Sequence, residues 1–576
     1  MIRLDCPKRV RPQGFAKQRP AMEGTMRRKL LYAGLLWLTA AAFSLAVAPS
    51  VRAQTTIQIK EQSAEVGELL RCGRELELER RWAEALTHYE SALRRFPSNE
   101  TFRRRLDYSR LHYDVVRRCG DQSYDRMLER MSMDEAVSLY SEVLRKIQTH
   151  YVEAPNWKSL VVEGVNGLEA ALSEEMFRDR NLPAVDNARI DEFRYSVRRM
   201  MATEMVQSRE AAIDAVSRIA NLSREKIGAE PVAVVLECMC GATNSLDTYS
   251  TYLTPDQLND VYSQIEGNFV GLGIEIKAKE GALSIVRVIP GSPAERAGLH
   301  GGDQIVVVDG QPTGDLATDK AASLLQGAAG SIARLVVVSA GGQTRNVSVC
   351  RERVEVPSID GARIVDSTYG IGYLKLVCFQ KTTARDLDAA LWELHRAGMR
   401  SLIMDLRGNP GGLLITAVEV VDKFVEQGVI VTTRGRTPQE DLSYSAHAVG
   451  TWSVPLIVLI DENSASAAEI FAGAIRDHHR GTIMGTRSYG KGSVQGIFPL
   501  SSSEAGVRLT TARFYSPLGY PYSLVGVEPD PALTIHRVAR VAEGDESVVQ
   551  PEQDECFEAA IQVARHSVAQ LQSGSR

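Results

Sequence analysis

Between residues 357 and 536, short apolar strand patterns alternate with helical ones, which restricts this part of the chain to an α/β domain with a largely buried sheet. Ile371 to Phe379 reads as a strand, Thr383 to Gly398 as a helix, and Ser401 to Leu406 as a second strand. Arg407-Gly408-Asn409-Pro410-Gly411-Gly412 then forms a sharp turn into a helix over Leu413 to Glu426. Val454 to Ile460 is a further strand. It runs directly into Asp461-Glu462-Asn463-Ser464-Ala465-Ser466, and an alanine-rich helix continues to Arg476.

A serine where a strand turns into a helix is well placed to be a nucleophile, because the helix N-terminus favours negative charge and its free N–H groups can face an oxyanion. The plainer reading is that Ser464 or Ser466 only caps the helix. Tyr489-Gly490-Lys491-Gly492-Ser493-Val494-Gln495 shifts the balance, because it sets a lysine between two glycines, in apolar surroundings, just before another strand.

The rest of the chain divides into further units. At 576 residues it is too long for one compact core, and a soft prior of ~150 residues per domain predicts three or four. Apolar residues at 44% and charged residues at 24% are ordinary for a soluble globular protein. The net charge of -5 gives no electrostatic reason to expect nucleic acid as a partner. Residues 1–53 read as a leader: Met26-Arg27-Arg28-Lys29 precedes apolar Leu30 to Ala48, and Val51-Arg52-Ala53 suits cleavage before Gln54. The apolar run is also near the ~20 residues that span a bilayer, so an uncleaved anchor is the alternative. Either form predicts export to the periplasm or cell envelope, the second with a membrane tether. Met26 as initiator would leave residues 1–25 as an extension.

Cys6 lies before Met26, and the other seven cysteines are spread too thinly for a disulfide framework. Cys238 and Cys240 have no second pair at ligand spacing, so they read as packing residues and no metal or other cofactor is expected.

Residues 58–130 read as helices, with Leu69, Cys72, Gly73 and Leu76, then Trp82, Ala85, Tyr89, Ala92 and Phe96, at three- and four-residue steps before Pro97. Gly73, Ala85, Tyr89, Ala92 and Pro97 resemble the small, aromatic and terminating positions of one tetratricopeptide repeat. A single repeat cannot bury its own faces, so it should dock on residues 101–130 or on an adaptor partner. Residues 132–261 read as a helical scaffold, with Tyr140, Val143, Leu144 and Ile147 on one apolar face.

Residues 262–350 are β-rich. Gly271-Leu272-Gly273-Ile274 opens the unit, a strand covers Leu283 to Val288, a short helix starts at Gly291-Ser292-Pro293-Ala294, and a second helix spans Asp319 to Leu325. Ala333 to Val338 and Arg345 to Val349 close it as a hairpin. This order resembles a PDZ domain, a β-sandwich-like module. Its glycine loop can turn successive N–H groups toward a carboxylate, and an incoming peptide would add as a strand beside Ile274-Glu275-Ile276. Residues 537–576 read as a C-terminal tail, helical in pattern.

Taken together, residues 134–536 resemble the C-terminal processing peptidases, or tail-specific proteases, which couple a PDZ domain to a Ser–Lys site. Ser464-Ala465-Ser466-Ala467-Ala468-Glu469 matches the family's nucleophile segment, and Gly490-Lys491-Gly492 with Gln495 its lysine segment. Asp405 to Gly412 resembles its Asp-Leu-Arg-x-Asn-Pro-Gly-Gly turn, Asp247 to Pro255 its opening motif, and Gly526 to Asp530 its closing one. Thr248-Tyr249 departs from the expected Pro-His, at a position not expected to be catalytic, and the tetratricopeptide-like front lies outside the usual layout.

The resemblance implies a peptidase core of the ClpP/crotonase-like type, with Ser466 as nucleophile, Lys491 as general base and Gln495 orienting the lysine. The backbone N–H of Ala467, with that of Gly411 or, preferably, Gly412, would form the oxyanion hole. Four residues of ideal strand separate Cα atoms by ~13 Å, so either Gly490 and Gly492 bend the chain or the two long side chains reach toward each other. Asp477-His478-His479 reads instead as a solvated helix end, roughly 18 Å from the helix start. The activity expected is endopeptidase cleavage near the free C-terminus of unstructured or partly folded proteins held by the PDZ domain. The rival expectation is an inactive adaptor built from the PDZ and tetratricopeptide-like modules.

Overall fold

The computed structural model describes residues 64–182, 185–279, 282–314, 324–447, 449–530 and 554–574. The leader read over residues 1–53 therefore lies outside the described residues, as do most of the helix expected at Asp319–Leu325 and the first part of the tail. Among the described residues no helix is long and apolar enough to cross a membrane.

The chain forms two compact units, dividing after Arg110. In the first, a helix through residues 64–78 packs on Trp82–Arg95 and on the start of Glu100–Cys119. Tyr89 fills the space over Gly73, where an added Cβ would collide with the ring. Ala85, Ala92, Phe102 and Leu106 complete this small core, so the segment after residue 100 supplies the docking surface a lone repeat needs.

In the second unit, the helix Pro231–Asn244 is buried almost along its whole length, as its nearly continuous apolar sequence requires. Cys238 and Cys240 are fully buried here. Glu237 on the same helix is paired with Arg118 at 2.5 Å and accepts from the Tyr124 hydroxyl at 3.1 Å, which makes a buried charge tolerable. Tyr140, Val143, Leu144 and Ile147 of Met133–His150 face the same core.

The scaffold is joined to the α/β core by hydrogen bonds. Glu142 accepts from the amides and hydroxyls of Ser501 and Ser502, and the strand Thr251–Leu253 pairs with Gly506–Tyr515. Residues 262–266, expected to open the β-rich unit, instead end the helix Pro255–Glu266. Thr254 and Gln257 cap that helix reciprocally, Pro255 occupies its first turn, and Gly267 stops it in the left-handed conformation. The PDZ domain then forms a six-stranded antiparallel sheet, with Ile274–Lys279 at one edge. A ribbon of Asn268–Gly271 and Glu352–Glu355 pairs the chain where it enters and leaves.

The α/β core contains two five-stranded sheets. The first has the order Ile359–Asp366, Ile371–Leu376, Ser401–Asp405, Leu456–Ile460, Thr482–Gly485, parallel after its first pair. Ser401–Asp405 and Leu456–Ile460 are buried at every residue, as expected for strands covered on both faces. Thr383–Arg396, Leu414–Asp422 and Ala467–Asp477 belong to the core on one face. The C-terminal helix Glu555–Gly574 covers the other, placing Ala560, Ile561 and Ala564 on Ile371, Ile403 and Ile457. The second sheet is antiparallel, and the sequence reading contains no counterpart to it. It combines Gly428–Gly435, Ser443–Ala446, Ser493–Pro499 and Gly506–Tyr515 with Thr251–Leu253 from the scaffold.

Candidate active site

Ser466 stands between the strand Leu456–Ile460 and the helix Ala467–Asp477, with φ 55° and ψ -113°. A non-glycine residue in that region carries strain of about 1–3 kcal/mol and stays there only when its surroundings hold it. Here the Ser466 amide donates to Glu469 Oε2 at 2.8 Å, and the Ala465 amide donates to the Asn409 carbonyl at 2.9 Å. Gly411 presses from the other side, with φ +99° and so little space that a Cβ would lie 2.7 Å from that of Ser466. Ser464 has a different function. Its buried hydroxyl donates to the Leu406 carbonyl at 2.8 Å and accepts from the Asp461 amide at 3.0 Å, tying the serine segment to the turn that follows Ser401–Asp405.

That turn supplies backbone donors. The Gly411 amide is already used by Asn409 Oδ1 at 2.8 Å. The carbonyls on either side are also engaged: Gly411 accepts from the Phe379 amide, and Phe379 accepts from the Leu413 amide. Among the described residues the amides of Gly412 and Ala467 make no hydrogen bond. Of the two glycines expected to serve an oxyanion, Gly412 is therefore the one with a free donor.

Glu469 joins the serine and lysine segments. It is fully buried, with Oε1 accepting from the Ser488 hydroxyl at 2.6 Å and the Gly490 amide at 2.7 Å, while Oε2 accepts from the amides of Ser466 and Lys491, both at 2.8 Å. Ser466 and Lys491 thus share one acceptor atom, which limits how far apart their backbones can stand. Burial raises the pKa of Glu469, and the four donors oppose that rise.

The Lys491 side chain is largely buried and makes no ion pair among the described residues. Burial pushes its pKa from 10.5 down to about 8; nearby Arg508 adds to the effect, and Glu469 and Asp247 oppose it. Its Nζ lies over the ring of Tyr249, 4.7 Å from the centroid. No hydrogen bond joins the amine to the Ser466 hydroxyl in this structure. Gln495 is not joined to Lys491 either: its Nε2 donates to the Ser493 hydroxyl at 2.9 Å and carbonyl at 3.2 Å, and to Thr510 Oγ1 at 3.4 Å. The strand does bend at this point, because the register with Gly506–Tyr515 shifts between Val494 and Gln495.

Asp477 and His478 are not a solvated helix end, which corrects the expectation. The Asp477 side chain is 2% exposed beside Arg476, and His478 Nε2 bonds the Val429 carbonyl at 2.7 Å, which ties the helix end to the second sheet. His479 alone is exposed. In the PDZ domain, the carbonyls of Leu272 and Gly273 accept from the amides of Ala294 and Ile289, both at 2.9 Å, and the amides of Leu272 and Gly273 make no hydrogen bond among the described residues. Gly271 ends one strand and Ile274 begins the edge strand.

Two residues in this arrangement, Glu469 and Tyr249, receive no role from the sequence alone. The spacing Ser466-x-x-Glu469 is a capping-box signature and could have marked the first. Nothing local marks the second, because its neighbour is 242 positions away. Among the described residues no group of three or more His, Cys, Asp or Glu is placed to hold a metal ion.

A serine under backbone strain, a desolvated amine and two unused amides on one α/β scaffold, with a PDZ domain inserted before it, define the class: a serine peptidase. A model described as peptidase family S41 matches residues 370–533, and one for PDZ domains matches 284–339. The carboxy-terminal-processing protease of Bartonella bacilliformis is 37% identical over 296 residues, 50% of this chain and 67% of that one. The carboxyl-terminal-processing protease of a Picosynechococcus species is 30% identical over 334 residues, 57% of this chain and 79% of the other. Among solved structures, the photosystem II D1 C-terminal processing protease aligns with 25% identity and a TM-score of 0.36, covering 69% of this chain and 93% of that one. The chain belongs to the carboxyl-terminal-processing proteases of peptidase family S41.

Proposed function

We propose that this peptidase cleaves near the C-terminus of unstructured or partly folded proteins through a Ser466–Lys491 dyad, with the PDZ domain capturing the free carboxylate. The observation that carries the reading is the joint placement of the two segments: one carboxylate oxygen of Glu469 receives the backbone N–H of both Ser466 and Lys491, beside an amine that burial drives toward neutrality.

In this reading the neutral Lys491 amine takes the proton from Ser466 Oγ as that oxygen bonds to the scissile carbonyl carbon. The negative charge on the carbonyl oxygen meets the free amides of Ala467 and Gly412, each such donor being worth ~3 kcal/mol in other serine hydrolases. The Lys491 ammonium then gives its proton to the departing nitrogen as the carbon–nitrogen bond breaks. Water, deprotonated by the same amine, releases the acyl group. Gln495 acts in this scheme only when substrate draws its carboxamide toward Lys491, because its Nε2 is otherwise occupied. The free amides of Leu272 and Gly273 and the unpaired edge of Ile274–Lys279 support capture of a peptide end as an added strand. The leader would deliver this activity to the cell envelope.

Ser466→Ala tests the reading. The variant is expected to keep the parent melting behaviour and to lose all measurable cleavage of an unfolded protein, with the intact substrate recovered by mass spectrometry. Cleavage retained at the parent rate would remove Ser466 from the chemistry.

A further inference from the structure

Tyr249 lies in the loop between the helix Pro231–Asn244 and the strand Thr251–Leu253. Its backbone is fixed on both sides: the amide donates to Asp247 Oδ1 at 2.7 Å, and the carbonyl accepts from Arg508 Nε at 2.9 Å. The ring is half-buried, hydrogen-bonded through its hydroxyl to Tyr489, and presents its face to the Lys491 Nζ at 4.7 Å. A cation within about 6 Å of an aromatic centroid is attracted by the ring quadrupole, more strongly when water is excluded.

The charged groups facing Lys491 do not replace that contact. Arg508 repels the ammonium, and Glu469 and Asp247 attract it from beyond ion-pair distance. Both Glu469 oxygens already accept two donors each, and Asp247 is occupied by the amides of Tyr249 and Ser250 and by the Ser250 hydroxyl. Neither carboxylate is free to turn toward the amine. An aromatic face has the property such a site needs, because it steadies the cation yet binds it less firmly than a carboxylate, so the amine still gives up its proton near neutral pH.

We propose that the face of Tyr249 is the seat of the Lys491 ammonium, both at rest and when the amine has taken the serine proton, which makes Tyr249 a positioning residue of the reaction. The inference rests on the Ser466–Lys491 reading. The proton leaves Ser466 Oγ as the oxygen–carbon bond forms, stays on Nζ over the ring, and departs on the leaving nitrogen as the carbon–nitrogen bond breaks.

The test uses the full chain carrying Ser466→Ala and lysine labelled with 13C at Cε, the Lys491 signal being assigned by its loss in Lys491→Arg. The Cε protons of Lys491 are expected upfield of the other lysines, shifted by the ring. Tyr249→Leu should abolish that displacement and lower the titration midpoint of Lys491 by about one pH unit, while Tyr249→Phe keeps both. In the active chain the acid limb of kcat/KM should move with the midpoint. Absence of the upfield shift, a midpoint that Tyr249→Leu leaves in place or raises, or a Phe variant that behaves like Leu would overturn the proposal. If Tyr249→Leu does not fold, the upfield shift and its retention in the Phe variant decide. The underlying Ser–Lys reading fails separately, by cleavage that survives Ser466→Ala.

Discussion

Burying an amine with no ion-pair partner lowers stability, and Lys491 is held in that state by its surroundings. Its folded pKa of about 8 lies below its ordinary 10.5, so the unfolded chain binds the proton more tightly. Below pH 8 both states are charged and the penalty is full. Between 8 and 10.5 the unfolded state holds more protons, and stability rises with pH. Above 10.5 the penalty is gone. A displacement of this size corresponds to up to about 3 kcal/mol. Lys491→Met, which keeps the volume and removes the charge, is therefore expected to be about 2 kcal/mol more stable than the parent in urea unfolding at pH 7. That gain should shrink to nothing by pH 10.5, and the variant should not cleave. A gain that did not change with pH would mean that the amine is solvated in the folded chain. Ser466 belongs to the same pattern, since its positive φ is strain maintained at the residue we propose as nucleophile.

At the scale of elements, the helix Ala467–Asp477 positions the site through its third residue. Glu469 is fastened to two backbones by four donors, and Glu469→Gln would replace one oxygen by an NH2 that cannot accept. Turned toward Ser488 and Gly490, that group could be satisfied only at the serine hydroxyl; turned the other way, it would face the amides of Ser466 and Lys491. Either orientation leaves at least one buried N–H unpaired, at about 2 kcal/mol each. The expected result is a chain that folds with that loss in urea and cleaves at least tenfold more slowly; unchanged kcat/KM would show that the tie is not needed for alignment. The helix itself was legible, because a strand, a turn of Asp461 to Ser466 and an alanine run punctuate the sequence clearly. The environment of Gln495 was not. A register shift between Val494 and Gln495 redirects its side chain toward Ser493 and Thr510, and bulges leave no periodic mark in the sequence.

Across the whole molecule, the order of modules could be read from local patterns, but their closures could not. Alternating strands and helices revealed the middle of the core's first sheet, since Ile371–Leu376, Ser401–Asp405 and Leu456–Ile460 are each followed by a helix. The second sheet draws Thr251–Leu253 into register with Gly506–Tyr515, more than 250 residues on, and no local periodicity carries such a pairing. For the same reason the tail's helical pattern was visible and its seat on Ile371, Ile403 and Ile457 was not. Tyr249 meets Lys491 only because that second sheet closes, so the chemistry assigned to the lysine depends on the least legible part of the fold. That chemistry requires an uncharged amine at position 491, and kcat/KM for an unfolded protein substrate between pH 5 and pH 10 measures it directly. The account predicts a rise of about tenfold per pH unit up to a midpoint near 8, then a plateau. Activity that stayed level down to pH 5 would contradict it.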